Sequence, residues 1–400
     1  MAPPILPSLL HSNMITPVVD ANSWRNRALF VSFFLSGFCS LVYQIVWLRL
    51  AFAEFGIITP VLSVVVAVFM LGLGLGSLVG GRWIEPLAAW LRISPLAIYA
   101  IAEALIGAWA LLVPRLFEAG AEALLGLGES SSVAYLSQSA LAIAAAMLPG
   151  CFLMGATFPL VAAYLNASPT PEENSFSFLY LANVIGAMSG ATLSALVIIE
   201  LLGFRGTLYV GAVCNWTVAA LAFSTNRRFP PVRVVSRQAS AKSRTEGTLS
   251  RGKALTILFL TGLSSMGMEV AWTRAFTPIM TTTIYAFAFL LITYLMGTWV
   301  GSFLYRRHLA GGGTVATDRL VWWLALSGYL PLIFNDPRIT PTPAHVLLSI
   351  LPVCAVLGYL TPKVIDDYAR GAARPMGKAY AVNVLGCILG PLLTGYVLLP

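Results

Sequence analysis

Charge is what this sequence has least of. Asp, Glu, Lys and Arg together make up 10% of the 400 residues, against about a quarter in a soluble domain. So few charges cannot cover a water-facing surface. With 58% hydrophobic residues and a mean hydropathy of +0.83, the chain is expected to be a polytopic membrane protein in the cell (inner) membrane. Histidine is nearly missing too: His11, His308 and His345 are scattered in tails and loops, so no metal site is expected. The five cysteines (Cys39, Cys151, Cys214, Cys354, Cys387) all fall in apolar segments without a CxxC pair. That pattern suits small buried packing residues, not disulfides. The first two dozen residues lack a basic region and a cleavage site, so no signal peptide is expected.

Apolar runs are plentiful. Runs of about 20 such residues, the length that crosses ~30 Å of hydrocarbon, recur at 28–49, 58–80, 94–114, 135–165, 176–202, 206–224, 254–275, 281–304, 319–334, 344–362 and 378–399. These are eleven predicted spans of an all-α fold. Between the sixth and seventh lies "NRRFPPVRVVSRQASAKSRTEGTLSRGK", with eight Lys/Arg against Glu246 alone. It reads as a solvated cytoplasmic linker that sets topology, not as a nucleic-acid site. Arg25, Arg27, Arg82, Arg92, Arg306, Arg307, Lys363, Arg370, Arg374 and Lys378 fall on the same side, whereas Glu118, Glu122 and Glu129 fall on the other. The acidic "PTPEENS" dissents, but acidic residues count little in this rule. The N-terminus is therefore expected inside and, with eleven spans, the C-terminus outside.

The chain repeats itself. A shift of 225 residues aligns Gly37, Ser40, Trp47 and Arg49 with Gly262, Ser265, Trp272 and Arg274, and Gly72, Gly76, Ser77 and Arg82 with Gly297, Gly301, Ser302 and Arg307. "MGATFP" pairs with "LGYLTP", and "YLANVIGAMSG" with "YAVNVLGCILG". Both copies begin on the same side, so this is a parallel duplication of a six-helix unit, the arrangement of the major facilitator superfamily halves. The predicted division is an N-terminal tail (1–27), a first repeat (28–224), the basic linker (225–253) and a second repeat (254–400) that lacks its last helix.

At 100° per residue, Gly262, Ser265, Glu269 and Trp272 form one stripe, and Gly37, Ser40, Gln44 and Trp47 the same stripe in the first span. Asn183 and Asn383 sit in a second repeated stripe. Gly72, Gly76 and Gly80 lie four apart inside "GLGLGSLVGG", a helix-packing face and not a phosphate loop, since no strand precedes it. Gly297 and Gly301 repeat it. The glycines, Trp47 and Trp272 are read as packing seams, and Pro159 and Pro362 as kinks or hinges. Glu269 and Glu103 stand out as intramembrane acids without a Lys or Arg at their depth. Such acids are candidates for binding a proton or cation, or for hydrogen bonding a neighbouring helix in protonated form. Gln44, Asn183 and Asn383 join them as candidate polar ligands.

The phrases "SGFCSLVYQIVWLR", "GLGLGSLVGGR", "MGATFPL" and "YLANVIGAMSGA" resemble the membrane-embedded N-terminal region of bacterial spermidine synthase-like proteins. That resemblance implies the membrane fold and polyamine chemistry nearby. The family's cytosolic aminopropyltransferase domain has no counterpart here, so no catalytic residue and no cofactor is carried over. Three readings follow: a membrane anchor or accessory subunit of an enzyme or larger complex; a transporter or binding protein for polyamines or other small organic cations; or the membrane part of an aminopropyltransferase whose catalytic domain lies elsewhere. The expected partners are the lipid bilayer, a protein partner under the first reading and a polyamine under the second.

Overall fold

A computed structural model describes residues 16–56, 59–126, 131–167, 175–230, 249–280, 283–334 and 342–398. Residues 169–174 of the acidic "PTPEENS" segment, most of the basic linker and residues 1–15 of the tail lie outside the described residues. The helices are α1 (Thr16–Phe55), α2 (Thr59–Leu91), α3 (Pro95–Gly126), α4 (Ser132–Asn166), α5 (Ser175–Leu193), α6 (Ile199–Arg228), α7 (Arg251–Met280), α8 (Thr283–Ala310), α9 (Thr317–Ser327), α10 (Leu330–Phe334), α11 (Pro343–Ala369) and α12 (Ala373–Leu393). In hydrocarbon a helix satisfies its own backbone hydrogen bonds, so long apolar runs have little choice. Among the described residues, eight stretches are long and apolar enough to cross a membrane.

The boundaries have local causes. α1 starts at Thr16, twelve residues before the predicted span, because neither proline nor glycine interrupts 18–36. The 53-residue stretch Phe176–Arg228 is too long for one crossing. It breaks at Gly203, whose φ of 66° and ψ of −177° suit a residue without Cβ. This is where the sequence separates two spans. The predicted span 319–334 is instead two pieces: Gly328 caps α9 with its N–H on the Leu324 carbonyl, and Pro331 in α10 has no N–H to continue the ladder. Two π-helical turns, Ser194–Ile198 and Thr394–Leu398, follow α5 and α12 at positions 200 residues apart.

Helices of each repeat interlock in the same way. Gly37 of α1 lies against the Asn183 carbonyl of α5, and Gly262 of α7 against the Asn383 carbonyl of α12. Gly76 of α2 meets the Phe152 carbonyl of α4, and Gly301 of α8 the Ala355 carbonyl of α11. Gly72 faces Cys151, Gly297 faces Cys354, and Gly80 sits on Ala156. A methyl group at Gly37, Gly76, Gly262 or Gly301 would overlap a backbone carbonyl, so the absence of a side chain sets the interhelical distance there. Trp47, fully buried, stacks on Tyr43 at 5.5 Å. Trp272 packs in a cluster with Phe276, Leu290 and Ile350. Pro159 and Pro362 lie inside unbroken α4 and α11.

One end of the bundle carries Arg25, Arg82, Arg228, Arg251, Arg306 and Arg374 and is called the basic end below. There, one buried apolar cluster draws on both repeats, joining Leu29, Phe158 and Phe176 to Leu258, Met376 and Ala379. Towards the opposite end the cores are separate: Trp47, Phe55 and Phe117 belong to one, and Trp272, Phe276 and Leu290 to another. A smaller contact, Ala187 and Ala191 against Leu291 and Leu295, ties α5 to α8 between them. The halves share a core at the basic end and part from it.

Candidate functional site

Glu269 is 8% exposed, seven residues beyond the Gly262 seam. Helix 7's stripe thus aims a carboxylate where α7, α11 and α12 converge: Cys354 of α11 and Cys387 of α12 lie within its electrostatic reach. Among the described residues no hydrogen-bond or ion-pair partner meets that carboxylate. One turn back, the Ser265 hydroxyl donates to the Gly262 carbonyl at 3.2 Å and also contacts the Tyr294 hydroxyl of α8 and the Cys387 thiol. Tyr294 lies near Tyr180 of α5, and Tyr180 near Tyr380 of α12. Aromatic rings close the set towards the basic end: Phe176 stacks on Tyr180 at 5.4 Å, and Phe158 meets Tyr380 at 5.8 Å. Helices of both repeats therefore contribute a serine, two thiols and three tyrosines to one cluster at the junction, and Glu269 lies one turn along α7 from its serine, reaching the cluster through Cys354 and Cys387. A buried carboxylate can hold a cation by charge, and hydroxyls and ring faces a turn away can add hydrogen bonds and cation–π contact to a cation long enough to reach both.

Glu103 is elsewhere. It is fully buried inside the first repeat, where Oε1 accepts from Ser36 Oγ of α1 at 2.8 Å and Oε2 from Asn215 Nδ2 of α6 at 2.5 Å. Asn215 Oδ1 in turn accepts from the Tyr43 hydroxyl at 2.6 Å. This network ties α1, α3 and α6 together, with each oxygen of the carboxylate satisfied. Asn383 is also a tie: its Nδ2 donates to the Leu258 carbonyl at 2.7 Å and reaches Thr261 Oγ1 at 3.5 Å, fastening α12 to α7. Asn183 occupies the matching place against α1 through its backbone carbonyl. Gln44 is buried at 7% exposure in the α1 slot that corresponds to Glu269.

Sequence reasoning missed a second cluster, at the basic end. Asp366 of α11, 3% exposed, accepts the Ser177 backbone N–H of α5 on Oδ1 and the Tyr305 hydroxyl of α8 on Oδ2, each at 3.3 Å. Arg306 donates to Ser177 Oγ at 3.3 Å and lies over the Phe178 ring at 5.7 Å. Asn166 Nδ2 donates to the Gly371 carbonyl at 2.5 Å, and Ser77 Oγ to the Gly377 carbonyl at 3.4 Å. These bonds latch the first repeat to the second. Tyr305 and Asp366 are 61 residues apart within the second repeat, and the pairs that cross between repeats are separated by 129 to 300 residues, so no spacing rule connects them; the only signal was Asp366 itself, an acid at the end of an apolar span.

The architecture is that of the major facilitator class: an all-helical, multi-pass membrane protein with a duplicated helical unit. No protein-family model matches the chain, and no curated protein does. Solved structures do. A bacterial homologue of the iron transporter ferroportin, in an outward-facing state, superposes with a TM-score of 0.61 over 92% of this chain and 90% of its own, at 15% identity. The proton:xylose symporter XylE gives 0.59 over 94% and 89% at 13% identity, and the nucleoside transporter NupG 0.55 over 93% and 90% at 15%. At such identities the likeness concerns the fold.

Proposed function

We propose that the chain is a transporter of small organic cations that works by rocking its two halves about the junction cluster. The carrying observation is Glu269, a buried carboxylate without a described partner, beside Cys354 and Cys387 and one helical turn from Ser265, where the tyrosine cluster of both repeats begins. An ammonium supplies the charge that site lacks. The transport fold of the structural neighbours supports this reading over that of a membrane anchor, which has no use for a polar cluster between its halves. The resemblance to spermidine synthase-like proteins suggests polyamines as the amines. The Lys and Arg of the basic end favour the cytoplasmic side; in that orientation the latch of Asp366, Ser177 and Arg306 closes the inner face, and amine enters from outside.

The test is uptake of labelled putrescine and spermidine into proteoliposomes, with binding followed by thermal stabilisation in detergent. Wild-type protein is expected to be stabilised and to accumulate the amine, and Glu269→Gln to lose both while keeping its fold. Stabilisation that survives Glu269→Gln would sink the assignment of the site. A protein that is stable alone yet indifferent to every amine would sink the substrate class.

A further inference from the structure

In the first repeat, α6 covers a face made by α1 and α3. Tyr43 of α1 donates to Asn215 Oδ1 at 2.6 Å, and Trp216 Nε1 reaches the Ala104 carbonyl of α3 at 3.2 Å. A methyl group at Gly211 would overlap the Tyr43 ring, so α6 lies close on α1. Across that contact the Cys39 thiol of α1 donates to the Gly211 carbonyl at 3.3 Å. Cys214 follows Gly211 by three residues and shares its flank of α6. Its thiol meets that of Cys39 within hydrogen-bonding reach. Both are free thiols. The sequence shows two packing residues, because 175 positions separate them.

Their surroundings differ. Cys39 is fully buried. Cys214 is partly exposed, at the edge between the buried face of α6 (Gly211, Asn215, Val218) and its outer face, where Tyr209, Val213 and Trp216 are exposed. In a bilayer that outer face meets acyl chains. Cys214 lies fourteen residues from Arg228, and Cys39 twelve from Arg27. Each is therefore about 20 Å along its helix from the basic end, well inside a hydrocarbon layer ~30 Å thick. Only a lipid-soluble reagent reaches Cys214 there, and Cys39 is reached through Cys214. A half-exposed thiol in contact with a buried one is the arrangement of an attacking cysteine and its resolving partner.

We infer that Cys214 and Cys39 form an oxidation site for hydroperoxides carried on unsaturated acyl chains. The Cys214 sulfur attacks the terminal peroxide oxygen. An S–O bond forms, the O–O bond breaks, and the thiol proton passes to the departing alkoxide, which leaves as a lipid alcohol. The Cys39 sulfur then attacks the sulfenic sulfur of Cys214. An S–S bond forms, and the hydroxyl leaves as water with the Cys39 proton. The peroxide gains two electrons and the two thiols lose two. The product fastens α1 to α6. Other cysteines are placed differently: Cys151 and Cys354 lie against glycines of facing helices, Gly72 and Gly297, and Cys387 meets Ser265.

The full chain is placed in nanodiscs of phosphatidylcholine that contain a minor share of its linoleoyl hydroperoxide, and thiols are counted after denaturation by maleimide labelling and mass spectrometry. The five free thiols are expected to fall to three, with a cross-linked peptide joining Cys39 to Cys214. Hydrogen peroxide added to the water at the same concentration should leave all five. Cys39→Ser keeps a donor for the Gly211 carbonyl but removes the resolving sulfur. In that variant the Cys214 sulfenic acid should accumulate and be trapped by dimedone, one adduct per chain. Cys214→Ser should leave Cys39 reduced. Retention of all five thiols by folded wild-type protein would overturn the inference, as would oxidation of Cys39 in Cys214→Ser. Equal loss of thiols to hydrogen peroxide would overturn the assignment of a lipid oxidant.

Discussion

Asp366 takes the backbone N–H of Ser177 on one oxygen, and with that bond the end of α11 holds the start of α5 across the two repeats. Tyr305 and, through Ser177, Arg306 complete the hold. A buried carboxylate that accepts two such bonds secures the basic end more firmly than apolar packing alone. Asp366→Ala should therefore loosen it locally. Amide exchange at the start of α5 and the end of α11 is expected to quicken roughly thirtyfold, for about 2 kcal/mol lost. Exchange in 132–150, at the other end, should stay as it was. Uniform protection in the variant would mean that the latch carries no weight.

Glu103 is predicted to matter for stability and not for transport. Its removal strands two buried donors, Ser36 and Asn215. Glu103→Ala should cost about 3 kcal/mol and Glu103→Gln, which keeps one acceptor, about 1 kcal/mol. Unfolding in a denaturing detergent gives the comparison. Loss of amine uptake in Glu103→Gln at unchanged stability would overturn this.

The glycine seams give a graded series. A methyl group at Gly76 or Gly301 meets a backbone carbonyl of the facing helix, so alanine should cost about 2 kcal/mol at each. Gly252 has open space around it, and Gly252→Ala should be neutral or stabilising by up to about 1 kcal/mol. Thermal melts of the three variants decide it; equal effects at all three would deny the seams their role.

Tyr294 carries the hydroxyl that reaches Ser265 at the junction. Tyr294→Phe keeps the ring and the fold but removes that bond. Amine binding, followed by calorimetry, is expected to weaken about tenfold while the melting temperature moves little. No change in affinity would place the amine elsewhere than beside Tyr294.

Much of the fold was legible because its cause is local or periodic. The seams announce themselves as small residues at fixed spacing, written twice, and Gly203 separates two spans where the hydropathy does. Glu103 was legible only as an oddity. The sequence shows an acid without a cation at its depth, but its partners are a serine and an amide 67 and 112 residues away, chosen by how α1, α3 and α6 pack. Asn383 looked like a ligand because it repeats, and the structure spends its N–H groups on α7. The latch was invisible for the same reason: Ser177, Tyr305 and Asp366 are ordinary residues until the halves meet. The π-helical turns left no mark beyond a hydroxyl residue at each start, Ser194 and Thr394.

The order of the seams along the chain also bears on how the protein is made. Gly37 of α1 must wait 146 residues of synthesis for Asn183 of α5, and Gly262 of α7 must wait 121 for Asn383 of α12. During that wait the Gly262 notch, Ser265 and Glu269 face whatever surrounds the nascent helix. A bilayer makes poor company for a carboxylate. The second half should therefore linger at the insertion machinery until α12 arrives, whereas the first, with the neutral Gln44 in the matching slot, can leave sooner.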